Sequence, residues 1–206
     1  MKIQKITLLI LFAFCLNFTR AQENLMDLQV DVVYLSSDLL TGRETGTDGE
    51  TMAAQYIVKR FEEAGLKPAG KEGSWFQSFD FKFNANPHAA GGEARTGKNV
   101  VGLLDNGAKT TVVIGAHYDH VGLGHFGSRH TGAPAIHNGA DDNASGTAGL
   151  FYLAEALQKS TAKNNNYLFI AFSGEELGLY GSKYFANNPT IDLSTINYML
   201  NIDIIS

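Results

Sequence analysis

The period of apolar positions changes several times along this chain, and each change marks an element. From Glu23 to Ser36, Leu25, Leu28, Val32, Val33 and Leu35 recur at helical spacing and predict a helix with one apolar face. After the polar run Thr41–Gly49 the pattern returns with Met52, Ala53, Tyr56, Ile57 and Phe61. Thr47 or Asp48 is placed to cap that second helix, and Gly65 followed by Pro68 to end it. Between Ser74 and Phe83 the period falls to two, with Phe79, Phe81 and Phe83 alternating with polar residues, as in a strand. Asn84–Lys98, rich in Gly, Ala and Asn, reads as loop. Asn99–Asp105 and Thr111–His117 are apolar runs expected as strands, and Asn106-Gly107 is expected to close a hairpin between them.

In the second half a Gly- and His-containing loop, Gly122–Ala135, precedes alternating elements. They are a helix over Thr147–Lys159, a strand over Asn166–Phe172, a helix over Leu177–Ala186 and a final strand over Tyr198–Ile205. Such alternation argues for an α/β fold, a mostly parallel mixed sheet flanked by helices on both faces. The expected hairpin is what makes the sheet mixed. No repeat or interdomain linker interrupts residues 22–206, so one domain is expected.

Composition narrows the setting. The 206 residues are 44% hydrophobic and 18% charged, enough for a sizeable core. The formal charge is −5, and no basic stripe suggests nucleic-acid binding. Met1–Ala21 carries Lys2 and Lys5, then an apolar stretch from Ile6 to Phe14, and ends Thr19-Arg20-Ala21. It reads as a signal peptide cleaved after Ala21, which predicts export to the periplasm or medium and no membrane anchor in the mature protein. A lipoprotein anchored at Cys15 is the rival reading, and Phe14 directly before that cysteine fits it poorly. Cys15 is the only cysteine, so the mature chain has no disulfide and no thiolate. A metal here falls to His, Asp and Glu, the donor set of catalytic rather than Cys-rich structural zinc sites.

Those donors cluster at predicted strand ends. His117 and Asp119 close one strand and, two residues apart, share a face. Asp141 and Asp142 lie in a Gly-rich turn before a helix, Glu175 and Glu176 follow another strand, and Asp203 lies in the last. In open α/β sheets ligands bind outside the carboxyl ends of the strands. Carboxylates converging there repel one another unless cations neutralise them. His120, His125, His130 and His137 sit in loop sequence without partner spacing and are expected to be exposed.

His117-Tyr118-Asp119, Gly139-Ala140-Asp141-Asp142-Asn143-Ala144-Ser145-Gly146, Glu175-Glu176 and the Asp203 strand resemble the co-catalytic di-zinc aminopeptidases. The likeness runs from about Leu28 to the last residue, and implies a zinc-peptidase three-layer sandwich acting on peptides. By the resemblance, His117 and Asp203 hold one zinc, Glu176 holds a second, and Asp142 bridges them through a cis peptide to Asn143. Asp119 orients His117, and Glu175 is the general base. Asp203 is expected to be buried in its strand.

The family places one further histidine ligand beyond the Asp203 strand, whereas this sequence ends at Ser206. The resemblance therefore implies a chain incomplete at its C-terminus, inactive or poorly active, with a second ion weakly held by Asp142 and Glu176 alone. A carboxypeptidase, for which Arg129 is the candidate carboxylate binder, a glutaminyl cyclase and a non-catalytic fragment are the alternatives.

Overall fold

The computed structural model describes residues 25–85 and 91–205; the expected signal peptide lies outside them. A six-stranded sheet forms the middle layer: β1 (Lys67–Pro68), β2 (Phe76–Phe83), β3 (Glu93–Leu104), β4 (Thr111–His117), β5 (Asn166–Phe172) and β6 (Ile196–Asn201). The strand order is β1-β3-β5-β4-β6, and β2 also lies along β3. β4 runs parallel to β5 and to β6, while β3 is antiparallel to β1, β2 and β5. The sheet is thus mixed, as expected, but for a different reason.

The predicted hairpin between β3 and β4 does not form, because β5 lies between them. Both strands are apolar on both faces and need a partner on each edge, which a terminal hairpin pair would not supply. Gly107 does adopt the positive φ a turn uses, 69°. The turn is held instead by the start of β5: the Asn166 Oδ1 accepts from the amides of Asn106 (2.9 Å) and Ala108 (3.1 Å). The real hairpin is β2–β3, in register from Phe76↔Val100 to Phe83↔Glu93. β3 consequently begins at Glu93, inside what reads as loop.

Among the described residues, four α-helices cover the sheet: α1 (residues 25–35), α2 (Asp48–Glu63), α3 (Gly146–Lys159) and α4 (Tyr180–Asn187). α2 begins as anticipated, with the Thr47 hydroxyl accepting from the Glu50 amide. Alternate strand residues divide between two cores. Val100, Val112, Ile114, Phe169 and Ala171 pack with Leu35, Ile57, Phe61, Leu150 and Phe151 of α1, α2 and α3. Val101, Val113, Leu168, Ile170 and Phe172 pack with Phe185 of α4. Burying a side chain such as Phe61 on this scale is worth roughly 1.5–3 kcal/mol. Helices therefore flank both faces. The carboxyl ends of β4, β5 and β6 open on one side, where the polar motifs collect.

Two element ends differ from expectation. α4 begins at Tyr180 rather than Leu177, leaving Glu175 and Glu176 in the turn before it. β6 stops at Asn201, so Asp203 follows the strand instead of lying within it.

Candidate metal centre

His117 is the last residue of β4, held between parallel neighbours and 4% exposed. Its backbone carbonyl accepts from the Thr147 hydroxyl of α3 at 2.9 Å, which fixes the strand end against the helix. The ring Nδ1 lies 3.2 Å from the Asp119 backbone carbonyl and 3.7 Å from the Asp119 carboxylate. Nε2 is thereby turned outward, 3.2 Å from Asp142 Oδ1 and 3.4 Å from Asp203 Oδ1. Burial by itself would lower the imidazole pKa, but Asp119, Glu175 and Asp142 outweigh it and lift it to about 9. The surrounding anions thus hold the ring's proton, and a cation bound there would have to displace it.

Asp119 is fully buried and serves two loops at once. Its carboxylate accepts from the Thr45 hydroxyl (3.1 Å) and from the amides of Glu175 (3.1 Å) and Glu176 (3.3 Å). The nearer support for the His117 ring is thus the Asp119 carbonyl, while the carboxylate shapes the glutamate turn.

Asp142 lies in an irregular turn, Ala140–Ser145, that feeds α3, and its peptide bond to Asn143 is cis, as the resemblance implies. Asn143 is fully buried. Its Nδ2 donates to the Ile202 carbonyl at 3.0 Å, and its Oδ1 accepts from the amides of Gly146 (3.0 Å) and Ile204 (3.2 Å). One side chain therefore ties the Asp142 turn to the residues on either side of Asp203. Asp203 itself is 45% exposed, so the expectation of a buried carboxylate is corrected: it sits at the mouth of the site beyond the strand.

A third clamp comes from Arg43, whose side chain is buried. It donates to the backbone carbonyls of Tyr118 (2.7 Å), Leu35, Asn138 (2.7 Å) and Gly139 (2.9 Å). Burial lowers its pKa to about 10, opposed by Asp119, Asp142 and Glu176, so it keeps its charge at neutral pH.

The two adjacent glutamates diverge. Glu175 faces a cavity of about 320 Å³ that His117, Phe172, Leu179, Met199 and Asp203 also line. Burial raises its carboxyl above the ordinary range; Asp119, Glu176 and Asp203 add to the rise, and His117 pulls against it. Glu176 turns the other way, with Oε1 2.7 Å from Nδ1 of His120.

His120 corrects the expectation of exposure, for its side chain is only 13% exposed. The signal available was position: it follows directly on His117-Tyr118-Asp119, so the turn out of β4 carries it into the same site. His125 and His130 are exposed as expected, and His137 contacts the Ser128 hydroxyl at 3.0 Å.

Two donor groups result. In His117–Asp142–Asp203, and again in His120–Asp142–Glu176, the ligand atoms lie within 4.8 Å of one another. Asp142 belongs to both. Burial raises its pKa, as do Glu176 and Asp203, while His117 and His120 lower it. Crowded carboxylates facing two imidazoles, with no thiolate, suit a zinc-type cation.

Residues 99–206 match the model for peptidase family M28. A curated relative, the alkaline phosphatase isozyme conversion protein of Escherichia coli (strain K12), is 30% identical over 145 residues, which is 69% of this chain and 40% of that protein. The chain thus spans well under half the length of that relative. Among solved structures, Porphyromonas gingivalis glutaminyl cyclase superposes with a TM-score of 0.65 at 19% identity, over 90% of this chain and 61% of that one. A leucine aminopeptidase precursor from Bacteroides thetaiotaomicron gives 0.63 at 17% identity, over 86% and 62%. At these identities the structures share the fold.

Proposed function

Since the chain belongs to peptidase family M28, a family of zinc-dependent peptidases, we propose that it carries the centre of an exported aminopeptidase, with Glu175 as general base. The observation that carries this reading is the divergence of the glutamates. Glu175 shares its cavity with His117 and Asp203, while Glu176 turns to the other donor group.

In this reading His117, Asp142 and Asp203 hold one zinc, and Asp142 and Glu176 contribute to a second. Zinc, when bound, polarises the peptide carbonyl and makes a water easier to deprotonate. The chain's own residues do the rest. Glu175, its pKa raised by burial, accepts the water proton and returns it to the leaving amine. Asp119 holds the Glu175 and Glu176 amides, fixing where both carboxylates start. Phe172, Leu179 and Met199 give the cavity an apolar wall for a substrate side chain.

The carboxylates around the cavity favour a free amino terminus over a free carboxylate. Arg129, the candidate for binding a substrate carboxylate, is exposed and is not among the residues lining this cavity. Export follows from the N-terminal pattern; among the described residues no helix is long and apolar enough to cross a membrane.

Glu175→Gln is expected to lower hydrolysis of aminoacyl-nitroanilides by roughly 10²- to 10⁴-fold while zinc content stays unchanged. Unaltered turnover would remove Glu175 as base. Cleavage of N-blocked peptides alone would overturn the aminopeptidase assignment, and loss of ammonia from N-terminal glutamine without peptide cleavage would favour a cyclase.

A further inference from the structure

We propose that Glu50 is a positioning residue for Glu175, acting through Ser173 to fix the start of the turn that carries the general base. The proposal rests on the reading of Glu175 as base, and Glu50 itself lies outside both donor groups.

Burial of the carboxylate is the first reason. Glu50 lies in the first turn of α2 and is fully buried. An acid at a helix start gains from the helix dipole at the surface and does not need burial for it. The partners of Glu50 among the described residues are two backbone amides and a hydroxyl. Lys98, whose amide it holds at 3.0 Å, sends its own ammonium to the Thr51 hydroxyl at 2.9 Å. A buried carboxylate without a paired cation is costly unless its oxygens are hydrogen-bonded. Helix capping explains one oxygen: Oε2 accepts from the Gly46 amide at 3.0 Å, one residue before the Thr47 cap. It does not explain Oε1, which accepts from the Ser173 hydroxyl at 2.6 Å, far along the chain.

The place of Ser173 is the second reason. It is fully buried, follows the last residue of β5 and stands two residues before Glu175. Its Oγ lies 3.3 Å from the Thr45 hydroxyl, which donates to Asp119. Asp119 in turn holds the Glu175 and Glu176 amides. Two buried carboxylates therefore grip the same two segments. Asp119 holds Thr45 and Glu175; Glu50 holds their neighbours Gly46 and Ser173. Between the two anchors on the glutamate side lies Gly174, with φ +72°, a link that has no side chain to stiffen it. With Ser173 fixed, the backbone is tied on both sides of that glycine. Without the Ser173 bond, the turn is free to pivot there about the Asp119 contacts alone.

Native-state hydrogen exchange and steady-state kinetics of the zinc-loaded chain test this, with Ser173→Ala as the milder variant beside Glu50→Gln. Both variants are expected to speed exchange of the Glu175 and Glu176 amides roughly tenfold, as for one lost hydrogen bond. Core amides of β4, which open only with the whole molecule, should follow global stability instead. A merely structural Glu50 would change that second set alone. For aminoacyl-nitroanilides kcat is expected to fall about 10- to 100-fold with KM little changed. The double variant should fall no further than the worse single one, because both changes break one link. Turn amides that stay protected in both variants, or kcat losses that multiply in the double variant, would overturn the proposal. If Glu50→Gln does not fold, Ser173→Ala decides by the same exchange and kinetic measurements. Unchanged turnover in Glu175→Gln would instead overturn the base reading and the catalytic purpose of the anchor, an outcome the exchange data keep distinct from failure of the anchor itself.

Discussion

Glu50 receives three donors inside the protein. Its Oε1 accepts from the Lys98 amide and the Ser173 hydroxyl, and its Oε2 from the Gly46 amide, while the nearby Tyr118 hydroxyl donates to the Lys98 carbonyl. Backbone amides cannot rotate away, so Glu50→Gln must turn its NH₂ toward one of two fixed N–H groups. The expected destabilisation is roughly 1–3 kcal/mol, read from urea unfolding. Burial raises the Glu50 pKa, against the pull of Ser173, Lys98 and Gly46. The folded state therefore holds that proton more tightly than the unfolded chain, and stability from this group is lost as pH rises above 4.5 through the raised value. The glutamine variant lacks that loss, so the gap between the two proteins should narrow from acid to neutral pH. At this scale the sequence was only partly legible. His117, Asp142 and Glu176 stood out by motif, but His120 and Glu50 matter through partners distant in the chain, which local spacing does not reveal.

Among elements, α2 was readable because period, cap and stop signals agree locally, and α3 from its apolar run alone. Strand order was not. The apolar run of β3 is compatible with several neighbours, and only the assembled sheet places β5 between β3 and β4. The Asn106-Gly107 pair misleads for the same reason, since a positive φ serves a turn of any destination. The short turns between elements carry the chemistry, and their tolerances are tight. Gly139→Ala should cost roughly 1–2 kcal/mol from the left-handed backbone, with more from contact with Asp142 and His120. Thermal unfolding and zinc titration of this variant should both show the damage, whereas Gly107→Ala, with open space around it, should leave zinc binding unchanged.

Across the whole molecule, the donors come from four separate places: the end of β4, the turn before α3, the turn after β5 and the segment after β6. An ion in either donor group would cross-link three of them, and two ions together all four. At zinc a hundredfold above its dissociation constant the expected gain is about 2.7 kcal/mol, or a melting temperature roughly 5–10 °C higher for a chain of this size. Differential scanning calorimetry with zinc and then with excess chelator would measure it. Asp203→Asn should reduce the gain. No such rise in the native protein would contradict a site held by these residues.

The Asp119 carboxylate carries a lesson for anyone transplanting this centre. Because it joins Thr45 near the start of the chain to the Glu175 and Glu176 amides, the histidine strand and the glutamate turn are not separable modules. Grafting either stretch onto another scaffold would bring the right side chains with nothing to set their angle. A working transplant would have to carry Thr45, Asp119 and the glutamate turn as one inherited unit.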